Sequence, residues 1–350
     1  MKIATIVGAR PQFIKAAPVS HHLRKHHAEV LIHTGQHYDN NLSGIFFSEL
    51  AIPSPDYNLG VGSGHHGEQT GAMLIGLEKV LIEENPDWTL IYGDTNSTLA
   101  GALVSAKLHI PVAHIEAGLR SYNRRMPEEI NRVVADHLSE LLFCPSHAAV
   151  SNLAAEGINQ GVHMVGDVMA DALFLAKKRA FEASTILTRM GLTGREYLLA
   201  TIHRAENTDD PQRLENIFSA LADTGETVVF PIHPRTRVAL DRIKHLSKSP
   251  NILLTDPVSY LDMVQLEAEA RMILTDSGGI QKEAYWLGVP CVTLRNETEW
   301  VETVQADWNR LAGSDPDLII ELVKSFTPPS THPPLYGDGH AAERCIALLY

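Results

Sequence analysis

Carboxylates placed directly after short apolar runs are the first residues in this chain that suggest chemistry. Asp94 sits in YGDTNST after the run Trp88 to Tyr92, Glu116 in HIEAGLR after Val112 to Ile115, and Glu128 and Glu129 in MPEEINR at a helix start marked by Pro127. Short apolar runs bounded by turn residues read as buried strands, so Asp94 and Glu116 fall at the strand ends where open α/β sheets bind ligands. Carboxylates held there suit proton transfer. Capping or surface charge explains any one of them, and explains the set less well.

Cationic and anion-binding groups recur in similar places. Gly8-Ala9-Arg10-Pro11-Gln12, followed by Lys15, brings backbone amides, a guanidinium and an ammonium to the end of the first strand, an arrangement suited to a pyrophosphate. A sharp turn with two solvated basic residues is the alternative. In the second half, His203 and Arg204 lie in TIHRAEN and His233 in PIHPR, each loop following an apolar run. Thr275-Asp276-Ser277-Gly278-Gly279 ends a strand and opens a helix expected to carry Glu283 on its first turn. Phosphate oxygens can meet backbone amides there, and Glu283 can accept from ribose hydroxyls. Structural capping by Ser277 is the other reading.

Two patterns lead nowhere. Gly62-Ser63-Gly64-His65-His66-Gly67 matches G-x-G-x-x-G, but a turn-rich loop precedes it, and about 20 residues on the chain is still helical, at Glu83 and Glu84, with no carboxylate for a ribose. NAD is therefore not expected. His21, His22, His26 and His27 have helical spacing, yet no carboxylate or cysteine completes a metal site, and a solvated face is expected.

The elements that must position these residues alternate. Strands are expected at Ile3 to Val7, Val30 to His33, Trp88 to Tyr92, Val112 to Ile115 and Leu141 to Cys144, with helices at Pro11 to His26, Gly67 to Glu84, Ser97 to Leu108 and Glu128 to His137. The pattern restarts with strands at Tyr197 to Thr201, Thr227 to Phe230, Ile252 to Leu254, Met272 to Thr275 and Cys291 to Leu294, and with helices at Pro211 to Asp223 and Gly279 to Leu287. Strand–helix alternation is the pattern of doubly wound parallel sheets. The expected division is 1–166 and 167–338, with a last helix, 339–350, carried back onto the first domain by a Pro-rich crossing.

Composition agrees with two such domains. The chain has 350 residues, 44% hydrophobic and 20% charged, more than one core usually holds. A net charge of -13 argues against nucleic-acid or anionic-membrane partners. Cys144, Cys291 and Cys345 are far apart and suggest neither disulfides nor a zinc ribbon, so a reducing, cytoplasmic setting is expected. The opening MKIATIVGAR is too short in apolar residues for a signal or spanning segment and reads as a strand.

Taken together and in order, GARPQFIKAAP, HTGQHYD, GDTNSTLAG, HIEAGLRS, MPEEINR, TIHRAENTD, HPRTR and LTDSGGIQKEA resemble the non-hydrolysing UDP-N-acetylglucosamine 2-epimerases over nearly the whole chain. The resemblance implies a B-type glycosyltransferase fold, two Rossmann-like domains facing across a cleft, as a homodimer acting on a UDP-sugar without NAD or a catalytic metal. It places Arg10, Lys15, Asp94, Glu116, Glu128, Arg132 and His203 in the active site and Ser277, Gly278 and Glu283 at UDP. Gly279 and His233 join the nucleotide-binding set, and Gln36, His37 and Gln69 match a second, activating UDP-GlcNAc site of bacterial members. Where many members read TERPE, this chain reads Thr298-Glu299-Trp300-Val301-Glu302, similar to the branch acting on UDP-2,3-diacetamido-2,3-dideoxy-glucuronic acid. A retaining glycosyltransferase of the same fold is the rival; it needs an acceptor. An epimerase of this kind is expected to eliminate UDP to a 2-acetamidoglycal and add it back, with Asp94, Glu116 and Glu128 as an unordered acid–base set.

Overall fold

The structure, a computed structural model, describes residues 1–36, 53–240 and 249–349. The chain divides into two compact units, Met1–Leu175 with Tyr336–Tyr350, and Ala176–Leu335. Sequence reading puts these limits at 166/167 and 338/339; the first instead falls inside a continuous helix, Val168–Ala183, which no Gly or Pro punctuates.

Unit 1 runs β1 (Lys2–Val7), α1 (Arg10–His26), β2 (Ala28–His33), β3 (Tyr57–Asn58), α2 (His66–Glu84), β4 (Trp88–Tyr92), α3 (Asn96–Lys107), β5 (Val112–Ile115), α4 (Pro127–Leu138), β6 (Leu141–Cys144), α5 (His147–Ala155), β7 (Val162–Met164) and the start of α6 (Val168–Ala183). Its parallel sheet has the order β3-β2-β1-β4-β5-β6-β7. Ala4, Ile6, Ile32 and Ile91 of the strands pack with Met73 and Leu77 of α2 and Ala100 and Val104 of α3. Strands covered on both faces read as continuous apolar runs, which is why β1, β4, β5 and β6 are legible in the sequence.

Unit 2 continues with α7 (Ile186–Arg189), β8 (Leu198–Thr201), α8 (Ala205–Thr208), α9 (Pro211–Asp223), β9 (Val228–Pro231), α10 (Pro234–Leu240), β10 (Ile252–Thr255), α11 (Tyr260–Glu269), β11 (Met272–Thr275), α12 (Gly278–Leu287), β12 (Cys291–Thr293), α13 (Val301–Gln305), β13 (Asn309–Leu311) and α14 (Pro316–Ser325). Its parallel sheet is ordered β10-β9-β8-β11-β12-β13. Leu198, Ala200, Phe230 and Leu274 face one buried layer, while Leu199, Val229 and Ile273 face the other. The last helix, α15 (Ala341–Ala347), lies against α1, and Asp171 of α6 accepts from the backbone N–H groups of Ala341 (3.1 Å) and Ala342 (2.9 Å).

In each sheet the strand order reverses at one point, between β1 and β4 in unit 1 and between β8 and β11 in unit 2. The loops leaving those strands diverge to opposite faces, and the crevice they leave is where α/β sheets bind ligands. Arg10, Lys15 and Asp94 follow the first pair of strands, and His203 and Ser277 follow the second. No described helix is long and apolar enough to cross a membrane.

Candidate active site

Asp94 is set by the turn between β4 and α3. Thr95 and Thr98 cap the helix reciprocally, Thr98 N donating to Thr95 Oγ1 (3.4 Å) and Thr95 N donating to Thr98 Oγ1 (3.2 Å). Thr98 Oγ1 in turn donates to Tyr92 O (2.6 Å), which fixes the chain on both sides of Asp94. The Asp94 carboxylate is ion-paired with Arg132 of α4, whose second nitrogen donates to Glu129 (3.2 Å). Glu116, one residue past β5, has φ +72°, a left-handed conformation unusual for a residue with a side chain. Its carboxylate is ion-paired with Lys15. Burial pulls Lys15 down most strongly, yet Glu116, Asp167 and Asp94 together hold its ammonium above the usual lysine value.

The two neighbouring glutamates at the start of α4 differ in kind. Glu129 is buried and accepts from Ser121 N (2.9 Å), Ser121 Oγ (2.9 Å) and Tyr122 N (2.8 Å). Burial alone would raise its pKa, but these bonds and Arg132 hold it low. It fastens the preceding loop. Glu128 is exposed, which leaves it the one able to meet a ligand.

The first loop departs from expectation. Gln12 Oε1 accepts from both Gly8 N (2.8 Å) and Ala9 N (3.0 Å), while Gln12 Nε2 donates to Tyr92 O (2.8 Å). Those two amides are therefore occupied by the protein itself, and Pro11 has none to offer. The Arg10 and Lys15 side chains are then the cationic groups at this loop that suit an anion, without help from the Gly8 and Ala9 amides. Gln12 is a positioning residue that the sequence hides, because a glutamine in the first helical turn reads as solvent-facing.

Behind Asp94 and Glu116 lies a second set that sequence reading passed over. His114 on β5 is fully buried; its Nε2 meets Gly93 O (2.7 Å) and its Nδ1 meets Asp136 Oδ1 of α4 (2.7 Å). Asp136 Oδ2 accepts from Gly118 N (3.0 Å) and from Arg120 Nη1 (2.7 Å), and Arg120 pairs with Glu156 (2.6 and 2.8 Å).

In unit 2, Ser277 caps α12, its Oγ accepting from Ile280 N (3.5 Å), and Gly278 is the first helical residue. The capping alternative is thus real, and it leaves the Gly278 and Gly279 N–H groups at a helix start, without intrahelical acceptors. Because the helix begins at Gly278, Glu283 stands on its second turn, not its first. Burial pushes the Glu283 carboxyl up to about 7, against the opposing charge of Lys282. Trp300 Nε1 donates to Gly278 O (2.7 Å), and Lys282 Nζ lies 4.4 Å from the Trp300 ring centre, so the TEW segment is fastened to the start of α12.

The His203 loop hangs on Asp276, a buried carboxylate that accepts from His203 N (3.0 Å), Arg204 N (3.0 Å) and Asn207 Nδ2 (3.1 Å). The His203 and His233 rings lie 5.4 Å apart. Burial holds His203 below the usual histidine value; Asp276 opposes this, and His233, Arg204 and Arg235 add to it. His203, His233, Ser277, Gly278 and Glu283 therefore belong to unit 2, while Arg10, Lys15, Asp94, Glu116, Glu128 and Arg132 belong to unit 1.

Of the three second-site residues, His37 lies outside the described residues. Gln36 Oε1 accepts from Ser97 N (3.1 Å) and Ser97 Oγ (2.7 Å), and Gln69 Oε1 accepts from Asn96 Nδ2 (2.8 Å), so both stand at the N-terminus of α3, beside the Asp94 loop. The Gly62–Gly67 stretch follows β3, a two-residue edge strand within the segment read as a loop, and enters α2 at His66.

The family model described as UDP-N-acetylglucosamine 2-epimerase matches residues 21–350. A UDP-N-acetylglucosamine 2-epimerase homolog of Methanococcus maripaludis is 54% identical, covering 100% of this chain and 99% of that one. The UDP-2,3-diacetamido-2,3-dideoxy-D-glucuronate 2-epimerase of Pseudomonas aeruginosa is 48% identical with the same coverage. Among solved structures, the UDP-GlcNAc 2-epimerase of Methanocaldococcus jannaschii is 43% identical with a TM-score of 0.93, over 100% of this chain and 99% of that chain. The same enzyme in complex with UDP-GlcNAc and UDP is matched at 44% identity and a TM-score of 0.80, with the same coverage.

Proposed function

The chain belongs to the UDP-N-acetylglucosamine 2-epimerase family, and from that premise we propose that it interconverts UDP-GlcNAc and UDP-ManNAc by expelling UDP and adding it back. It is an isomerase, a UDP-sugar 2-epimerase. The hydrogen on carbon 2 has no adjacent carbonyl and is not acidic enough for a side-chain base alone. Removing it as the bond from carbon 1 to the bridging oxygen breaks solves this: the C2–H electron pair becomes the C1=C2 bond of a 2-acetamidoglycal, and the departing pair goes to UDP. Re-addition with the proton delivered to the opposite face gives the epimer.

Asp94, Glu116 and Glu128 serve as the proton-transfer set on the two faces, with Lys15 and Arg132 holding two of the carboxylates. Arg10, Lys15 and His203 oppose the charge that develops on the pyrophosphate. Ser277, Gly278, Gly279 and Glu283 take the nucleotide, with His233 beside His203. The observation that carries this reading is the placement of Asp94 and Glu116 at the ends of adjacent strands, each clamped to a cation. NAD and a catalytic metal have no part in the proposed route. The enzyme is further proposed to work as a cytoplasmic homodimer, with Gln36 and Gln69 near a second nucleotide-sugar site.

Proton NMR of the protein with UDP-GlcNAc alone, in EDTA and without NAD, should show UDP-ManNAc accumulating with no free ManNAc. Free ManNAc plus UDP would mark a hydrolase, and inertness without an acceptor would favour a glycosyltransferase. A second reading, turnover of UDP-2,3-diacetamido-2,3-dideoxy-glucuronate, is favoured by Trp300 at the head of α12 and by the 48% identity to the Pseudomonas enzyme. The same experiment with that sugar decides between them.

A further inference from the structure

The buried His114–Asp136 pair joins three separate pieces of unit 1 that carry the proposed acid–base groups. His114 Nε2 holds Gly93 O, the carbonyl directly before Asp94. Asp136 Oδ2 holds Gly118 N, two residues past Glu116. Asp136 itself is on α4, the helix that carries Glu128 and Arg132. A carbonyl can only accept, so Nε2 donates to it. Nδ1 meets Asp136 Oδ1 at 2.7 Å, and while burial alone would raise the Asp136 carboxyl, His114 and Arg120 hold it below the usual carboxylate range. Three groups converge on one carboxylate: the His114 ring, the Gly118 amide and the Arg120 guanidinium.

We propose that His114 and Asp136 are positioning residues that fix Asp94, Glu116 and Glu128 relative to one another, and so set how faithfully elimination is followed by re-addition. The inference rests on the epimerase reading. Both half-reactions need a proton donor or acceptor in register with the same carbon. If the carboxylates drift apart, removal of the C2 proton and loss of UDP can still occur while return of the proton to the opposite face fails. The 2-acetamidoglycal and UDP then escape as separate products.

The test is the ratio of released 2-acetamidoglycal to epimerised UDP-sugar, followed by NMR in the full-length enzyme with each candidate UDP-sugar. Because both products come from the same active molecules, the ratio does not change when a variant merely lowers the folded fraction. His114→Gln keeps a donor for Gly93 O and loses the link to Asp136. Asp136→Asn is isosteric and has one oxygen where the carboxylate has two, so it carries the same test with little change in packing. Each should lower kcat by about tenfold or more, leave KM within about twofold, and raise the ratio at least severalfold. An unchanged ratio in the soluble variants, whatever their kcat, would overturn the positioning role. Absence of turnover in the wild type with either sugar would instead overturn the epimerase reading.

Discussion

At the scale of single residues, the carboxylates at strand ends should behave as chemical groups and not as binding groups. Asp94→Asn, Glu116→Gln and Glu128→Gln remove a titratable proton with almost no change of shape. Each should lower kcat by roughly 100-fold or more, while UDP affinity, measured by calorimetry, stays close to wild type. Retained turnover in any one would remove that residue from the set. Arg10→Ala should do the reverse and weaken UDP. Glu283 makes a different point. Burial raises its carboxyl to about 7 in the folded chain, so between the ordinary glutamate value and about 7 the folded state holds more protons than the unfolded one. Stability then falls as pH rises through that window. Glu283→Gln should raise Tm at pH 8, raise it much less at pH 5, and weaken UDP at both. A Tm gain that is equal at the two pH values would show that ionisation is not what strains the site.

At the scale of elements, close approach decides what the loops tolerate. A Cβ on Gly8 would fall well inside contact distance of Ser97 Oγ and Thr34 Oγ1, two hydroxyls already bonded to each other at 2.8 Å. Gly8→Ala should therefore push α3 away from β1, destabilising by roughly 1–3 kcal/mol and lowering Tm by several degrees in thermal unfolding. An unchanged Tm would mean that the Ser97 side chain simply rotates aside. The same scale explains what the sequence revealed. Central strands such as Trp88–Tyr92 and Met272–Thr275 are buried on both faces and stand out as apolar runs. The edge strands Tyr57–Asn58, Val162–Met164 and Asn309–Leu311 are short, partly exposed and interrupted by Asn58, His163 and Arg310, so no run announces them. Asp94 and Glu116 were legible because a carboxylate right after an apolar run is conspicuous. His114 and Asp136 were not: 22 residues separate them, and only the pairing of β5 with α4 discloses that they meet.

At the scale of the whole molecule, the proposed proton-transfer residues Asp94, Glu116 and Glu128 fall in unit 1, and the proposed nucleotide residues Ser277, Gly278, Gly279 and Glu283 fall in unit 2. Elimination produces two fragments, the glycal and UDP, and a net epimerisation requires that both stay until they recombine. Isotopes report on each fragment separately. A base that exchanges its proton during the lifetime of the glycal returns a solvent proton, so turnover in deuterium oxide should place deuterium at carbon 2 of the product sugar. Breaking the bond from carbon 1 to the bridging oxygen frees the β-phosphate to rotate, so oxygen-18 placed in the bridge should appear in its non-bridging positions. Transient oxidation at a neighbouring hydroxyl would leave that bond intact and the label in place. Epimerisation with the label wholly in the bridge is compatible with elimination only if bound UDP cannot rotate before re-addition. That escape has its own consequence: synthetic 2-acetamidoglycal supplied with UDP should then be converted by the enzyme to UDP-sugar. Failure of both the scrambling and the re-addition, in enzyme that epimerises its substrate, would rule the elimination route out.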